Sequence, residues 1–262
     1  MRYGWLIGLL GLLTISSLFI GVSTIQVIDL LQFKGQSTQL FLATRLPRTV
    51  CLILAGATSS ICGLIMQHLT QTLPQKNQLM LPLIGVMLGN IIGSIATFFA
   101  YQFQLIQNMS SWLQGNFATI IRGNYELLYV TVPLLIVISF FAYRFTIVGL
   151  GESFAVNLGI DYKKMQLLGI GLVSLASAIV LIMVGSIPFL GVIIPNITAR
   201  LYGDQVHKTI GITALLGSVF LLFCDIVARL VIYPYEIPVS VIVGIFGAII
   251  FLYLLVRRKK YA

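Results

Sequence analysis

The chain has 262 residues, of which 58% are hydrophobic and only 9% are charged, and its mean hydropathy is +1.02. Soluble globular proteins carry roughly 25% charged residues, so this composition excludes a water-soluble domain and indicates that lipid surrounds most of the chain. The net charge of +9 comes from basic residues that cluster between apolar runs, which is typical of membrane proteins and argues against nucleic acid as a partner.

The first apolar run follows Arg2 and is too long for the hydrophobic core of a signal peptide, which has roughly 7–15 residues. We therefore predict a retained transmembrane helix there, and six further runs approach the length of about 20 residues that a bilayer requires. A shorter run, 188–199, contains Pro188 and Pro195. It can lie at membrane depth only where other parts of the protein surround it, because the carbonyls freed by proline cannot face lipid. The predicted fold is an all-α polytopic membrane domain, 1–262, with about eight transmembrane helices: 4–23, 49–67, 80–101, 127–143, 166–187, 188–199, 209–228 and 237–256.

The distribution of lysine and arginine predicts the orientation of these helices. With the N-terminus in the cytoplasm, eleven basic residues fall in inner loops, including the terminal run 257–260, and five fall in outer loops. Because basic residues concentrate on the cytoplasmic side, we predict that both termini are cytoplasmic. Three of the five outer exceptions, Arg45, Arg48 and Arg229, lie at helix ends, where they either reach the lipid headgroups or serve another purpose.

The stretch RLPRT, 45–49, predicts the start of a helix, because the missing N–H of Pro47 costs nothing in a first turn. Arg45 then lies just outside the helix and Arg48 in its first turn, at the positive end of the helix dipole. Arginines are disfavoured there electrostatically, and the positive-inside bias disfavours them on the outer face as well. The pair therefore suggests docking of an acidic external partner, and charge reversal should weaken that docking in a salt-dependent way.

The sequence contains no motif of an enzyme or a nucleotide-binding site: it lacks GxxxxGK[ST], HExxH and GxSxG. Three cysteines lie in apolar runs without a histidine nearby and are interpreted as buried side chains, so no cofactor or metal is expected. Asp225 is the one carboxylate inside a predicted span, and Arg229 lies one turn further on the same face. This spacing predicts an intramembrane ion pair, with a direct functional role of Asp225 at membrane depth, such as lining a path through the bundle, as the alternative.

The predicted inner loop at 149–166 carries apolar residues where a water-exposed loop is expected. Glu152 suits the first turn of a short helix, and Gly159 can end that helix with a positive φ. Phe154 and Leu158 would then be exposed, which favours docking to another protein. A helix lying on the lipid headgroups, anchored by lysines, is the alternative.

Several stretches resemble the permease subunits of the iron-siderophore and vitamin B12 ABC importers. RLPRTVCLILAGATSSICGLIMQHLTQ, 45–71, is similar to the second-helix signature of that family, and LGESFAVNLGI, 150–160, to its cytoplasmic coupling helices. GSIPFLGVIIPN, 185–196, and LFCDIVARLVIYPYEIPVSVIVGIFGA, 222–248, resemble its later helices, and SSWLQGNF, 110–117, resembles its outer loop. The sequence PYEIP, 234–238, and Asn196 most resemble the ferric catecholate-siderophore branch of this family.

The resemblance implies the function and the partners of this chain. It implies a permease subunit in a bacterial cell membrane that dimerises with itself or a sister permease, is driven by two separate cytoplasmic ATPases and receives its ferric chelate from an external binding protein. Arg45, Arg48 and Arg229 match arginines that contact the acidic residues of the binding protein. The loop 150–164 matches the ATPase coupling element, with these residues in contact: Gly151, Glu152, Phe154, Ala155, Leu158 and Gly159.

The chain departs from the family after residue 71, where the family has two further helices and this chain has a junction of only 69–79. We therefore expect about eight transmembrane helices where the family has ten. A truncated, transport-deficient paralogue remains an alternative to a minimal permease. A secondary transporter that works alone is a third hypothesis, although no internal repeat supports it.

Overall fold

The computed structural model describes residues 2–20, 41–71, 75–118, 120, 123, 125–232 and 235–258. A π-helical turn, Phe41–Arg45, precedes the second helix, and a 3-10 turn, Glu126–Val130, precedes the fifth. The all-α fold predicted from the sequence is confirmed. In chain order the described residues form α1 (Arg2–Phe19), α2 (Leu46–Gln71), α3 (Gln75–Gln102), α4 (Ile106–Leu113), α5 (Thr131–Val148), α6 (Glu152–Asn157), α7 (Tyr162–Val184), α8 (Leu190–Tyr202), α9 (Val206–Leu230) and α10 (Val239–Arg258).

Each predicted apolar run falls on one of these helices. Among the described residues, α2, α3, α5, α7 and α9 are long and apolar enough to cross a membrane, while α1 and α10 contain shorter apolar stretches. The short run with two prolines forms α8, which starts after Pro188 and carries Pro195 inside. The end of the first predicted run, the middle of the junction 69–79 and residues 259–260 of the basic tail lie outside the described residues.

The centre of the bundle is α2, which packs against α5, α7, α8 and α9. It approaches α9 and α8 through glycines, because a Cβ on Gly56 would lie 2.7 Å from the carbonyl oxygen of Gly217, and a Cβ on Gly63 would lie 1.8 Å from that of Gly191. Small residues at these crossings let the two helix backbones come into contact. As a result, 67% of the most apolar window of α2 is buried.

The helix α3 differs from α2 in its environment. Only 6% of its most apolar window is buried, and its main contacts among the described elements are with the short helix α4. Gly85, Gly89 and Gly93 lie along α3 at intervals of four residues, and a Cβ on any of them would meet no atom within 4 Å. The helix that follows the short junction therefore stands beside the bundle rather than inside it.

Candidate functional site

The three arginines singled out in the sequence lie together at one end of the bundle. Arg45 ends the π-helical turn, Arg48 lies in the first turn of α2, and Arg229 lies in the last turn of α9. The carboxylates of Asp225, on α9, and Glu236, in the segment before α10, pair there with Arg48 and Arg229. We call these five residues the arginine cluster.

Arg48 holds both carboxylates of the arginine cluster. Its Nε and Nη2 donate to Asp225 Oδ1 at 3.2 and 2.8 Å, and its Nη1 donates to Glu236 Oε2 at 2.7 Å. The side chain of Asp225 is fully buried, that of Arg48 is 11% exposed, and that of Glu236 is 20% exposed. Arg48 thereby ties the start of α2 to α9 and to the segment leading into α10.

Arg229 pairs with Asp225 through the interval of four residues predicted from the sequence, its Nη2 donating to Asp225 Oδ2. Its Nη1 also donates to the backbone carbonyls of Ser17 and Ile20 at 3.0 and 2.7 Å. Arg45 Nη1 donates to the carbonyl of Leu18 at 2.8 Å. The last carbonyls of a helix lack partners within it and carry partial negative charge, so the two guanidinium groups cap the C-terminus of α1.

The cluster therefore contains three positive and two negative side chains, all of them largely removed from solvent. Sequence reasoning identified the three arginines and Asp225 but missed Glu236 and the carbonyls of α1. The spacing of Asp225 and Arg229 is readable from one helix, whereas Arg48 lies 177 residues before Asp225. Docking of an external partner at the three arginines stays a prediction.

The predicted coupling loop lies at the opposite end of α2. Gly149 packs against the ring of His68, near the C-terminus of α2, and α6 follows directly. Gly151 and Gly159 flank α6 with φ of 118° and 73°, values that favour glycine. The sequence had placed a short helix and a glycine of positive φ at these positions.

Large apolar side chains of α6 and of Leu158, the residue that follows it, are exposed. Phe154 and Leu158 are 59% and 61% exposed, whereas Ala155 between them is buried. A cavity of about 290 Å³ next to them is lined by Glu152, Gly159 and other residues of the same loop. Exposed apolar side chains beside a shallow cavity, as here, favour docking of this segment onto a complementary surface of another protein.

Asp161 fixes the end of this loop where α7 begins. Its carboxylate accepts a hydrogen bond from the backbone N–H of Lys164 at 3.2 Å and lies 3.0 Å from the Nζ of the same lysine. Hydrogen bonds from the Lys164 side chain and backbone lower the pKa of Asp161 below its ordinary value of 3.8. The cap is therefore present at neutral pH and is lost only when the pH falls through this lowered pKa.

No group of three histidine, cysteine or acidic side chains that could hold a metal ion occurs in the part of the chain that the structure describes. The three cysteines are buried and free, as the apolar runs around them indicate. The described residues place a largely buried ionic cluster at one end of the bundle and an exposed apolar segment at the other.

A bundle of apolar helices of membrane length, with an ionic cluster at one end and an exposed short helix at the other, is the structure of a multi-pass membrane protein. The chain belongs to the FecCD transport family, whose model matches residues 9–72 and 71–257. The resemblance found in the sequence is confirmed, and the family implies a location in the cell membrane.

Two relatives align with nearly the whole chain. The petrobactin import system permease protein YclN of Bacillus subtilis is 40% identical over 316 residues, covering 100% of both chains. The ferric-anguibactin transport system permease protein FatD of Vibrio anguillarum is 32% identical over 299 residues, covering 94% of this chain and 95% of that one.

A solved structure shares the fold. It is described as an inward-facing conformation of a metal-chelate type ABC transporter, and it matches 96% of this chain and 97% of its own with a TM-score of 0.84 and 23% identity. Its likeness therefore supports the helical permease fold seen in the described residues.

Proposed function

We propose that this chain is the permease subunit of an ATP-driven importer that carries a ferric siderophore into the cytoplasm. The observation that carries the proposal is the 40% identity to a petrobactin permease along the entire chain. The catecholate type of siderophore is part of the proposal through the sequence resemblance around 234–238 and Asn196. Iron would travel inside its chelator.

Separate ATPases would dock on α6 and the loop 150–164. Support comes from the exposure of Phe154 and Leu158 and from the distance between this loop and the arginine cluster, since α2 between them is 26 residues, or about 39 Å, long. ATP-driven closure of the ATPases would move α6 and shift the bundle between outward and inward states. This arrangement requires both chain termini to be cytoplasmic.

An external binding protein would present acidic side chains to the arginine cluster. The cluster contains three guanidinium groups and two carboxylates, so it has one positive charge in excess. Because Glu236 is the more exposed of the two acids, an incoming carboxylate would compete with it for Arg48. The contact would be electrostatic and therefore weaker at high salt.

Uptake of iron-55 as ferric petrobactin by bacteria whose only siderophore permease is this chain tests the proposed function. We expect uptake that stops when ATP is depleted, and co-purification of an ATPase and a binding protein encoded with the chain. Uptake that continues without ATP or without an associated ATPase would favour a secondary transporter instead.

A second candidate is a transport-deficient paralogue, and the short junction after residue 71 favours it. The 316 positions aligned with YclN exceed the 262 residues of this chain by 54, and the family model matches in two segments that meet at 71–72. Fifty-four residues would form two transmembrane helices of about 20 residues each with their connections.

Insertion of the corresponding YclN segment between residues 71 and 75 separates a minimal permease from a defective one. If the chain is a minimal permease, the uninserted protein already transports ferric petrobactin. Transport by the inserted form alone would identify this chain as the deficient paralogue.

A further inference from the structure

His68 is a buried histidine in the last turn of α2, at the end of that helix that lies next to the coupling loop. Only 3% of the residue is exposed. A buried polar ring needs hydrogen-bond partners, because leaving its polar atoms unpaired costs free energy. The contacts of this ring therefore show what holds the end of α2.

Both ring nitrogens of His68 lie within hydrogen-bond distance of carbonyl oxygens. Nδ1 is 3.0 Å from the oxygen of Leu64, in the preceding turn of the same helix, and Nε2 is 2.6 Å from the oxygen of Asp204. Because a carbonyl oxygen only accepts, Nε2 donates in the shorter contact. Asp204 belongs to the turn 203–205 between α8 and α9, so this hydrogen bond joins α2 to that turn.

The same ring also packs against the start of the loop that carries α6. A Cβ on Gly149 would lie 3.1 Å from Cδ2 of His68, and Gly149 lies three residues before α6. Beyond the other end of the loop, a Cβ on Gly169 in α7 would lie 2.8 Å from Cδ1 of Leu69. The last turns of α2 thus contact the segments on both sides of the coupling loop.

The helices α2 and α9 are joined to each other at three levels. At the far end Arg48 pairs with Asp225, and in the middle the Ser218 hydroxyl donates to the carbonyl of Ile53 at 2.8 Å. Near the coupling loop, His68 holds the turn that precedes α9. Closely packed protein interiors transmit strain, so two helices joined along their length should move as one body.

We propose that His68 is a positioning residue that transmits movement of α6 to the α2–α9 pair, and so to the arginine cluster at the other end of that pair. The ring lies where the start of the coupling loop, α2 and the turn 203–205 meet. An ATPase that displaces α6 would move Gly149 against the ring, and the Nε2–H donor would carry the turn before α9 along with α2. This inference rests on the proposed function, since it requires an ATPase at α6.

Two substitutions that differ in length test this role. The amide nitrogen of His68→Gln can take the place of Nε2 and reach the Asp204 carbonyl, whereas His68→Asn is one methylene shorter and reaches only the place of Nδ1. The assay uses the full chain in proteoliposomes with its co-purified ATPase and binding protein, and it measures ATP hydrolysis and uptake of iron-55 as ferric petrobactin. While ATP hydrolysis continues, His68→Asn should lower uptake about tenfold, or about 1.4 kcal/mol in activation free energy, and His68→Gln should stay within about twofold of the wild type.

Thr70→Val is the matched control in the same turn of α2. The Thr70 hydroxyl donates to the carbonyls of Met66 and Gln67 in its own helix, at 2.9 and 3.1 Å. Its removal should leave both uptake and ATP hydrolysis unchanged. A purely structural role of His68 would instead lower the melting temperature and the amount of assembled complex, and uptake and hydrolysis would fall together.

Three results would overturn the inference. The first is wild-type uptake by His68→Asn, and the second is an equal loss of uptake in the asparagine and glutamine variants. The third is failure of His68→Asn to assemble, or a parallel fall of its uptake and hydrolysis, either of which would mark the residue as structural. A wild-type chain that binds no ATPase would refute the proposed function together with this inference, whereas ATP-driven uptake that His68→Asn leaves unchanged would refute this inference alone.

Discussion

Replacing Asp225 with asparagine should destabilise the protein strongly. The Asp225 carboxylate is fully buried and pairs with Arg48 at 2.8 Å and with Arg229. At this distance two unit charges attract by about 6 kcal/mol for an effective dielectric constant of about 20, although the cost of removing the charges from water offsets much of that. Loss of one partner from a buried pair typically costs about 3–5 kcal/mol, because the remaining charge is left uncompensated.

The matched control is Glu236→Gln, which removes a carboxylate at a nearly equal distance, 2.7 Å, from the same arginine. Glu236 is 20% exposed, so solvent screens its charge and the expected loss is about 1 kcal/mol or less. The assay is the apparent melting temperature in detergent, followed by tryptophan fluorescence. At roughly 2–4 °C for each kcal/mol, Asp225→Asn should melt about 10 °C below the wild type and Glu236→Gln only a few degrees below it.

A double variant shows whether the loss arises from uncompensated charge. Asp225→Asn combined with Arg229→Met removes both members of one pair, so it should be less destabilised than the sum of the two single variants. Equal melting temperatures for Asp225→Asn and Glu236→Gln, or strict additivity in the double variant, would refute the reasoning.

Three further predictions concern packing, coupling and docking. Gly63→Ala should lower the free energy of unfolding by about 1–3 kcal/mol, because the new Cβ would lie 1.8 Å from the carbonyl oxygen of Gly191. Gly171→Ala is the control: its Cβ would meet no atom within 4 Å, so the variant should stay within about 1 kcal/mol of the wild type in the same melting assay. Phe154→Ala should insert normally into the membrane but reduce ATP-driven uptake of iron-55 by at least about tenfold. Phe140→Ala, which changes an exposed side chain of α5, should leave uptake unchanged. Equal uptake by both variants would contradict docking at α6. Arg48→Gln should weaken binding-protein docking, measured by surface plasmon resonance, and remove most of its salt dependence; an unchanged salt dependence would exclude Arg48 from the interface.

The helical bundle was predictable from sequence because its signals are local. Apolar runs of membrane length give the helices, and Pro47 marks the start of α2 at the position that the structure has. The pairing of Asp225 with Arg229 follows from their spacing on one helix.

Other parts of the site depend on packing between distant segments. Arg48 reaches Asp225 and Glu236 only because α2 packs against α9. No sequence pattern within α2 or α9 indicates that contact. The acceptors at the end of α1 are backbone carbonyls, which every residue carries and which therefore leave no trace in the sequence. The exposure of α3 was also missed, since it depends on which neighbours the chain lacks rather than on the residues of α3.

The capping of α1 by Arg45 and Arg229 affects how this region can change during evolution. The guanidinium groups hold mainly the main-chain oxygens of residues 17–20, with the Ser17 hydroxyl as an additional acceptor. Most side-chain replacements at Leu18 or Ile20 would preserve the acceptors, while replacement of either arginine would remove the donors. The contact that holds α1 should therefore tolerate side-chain changes at the end of α1 but very few changes at Arg45 and Arg229.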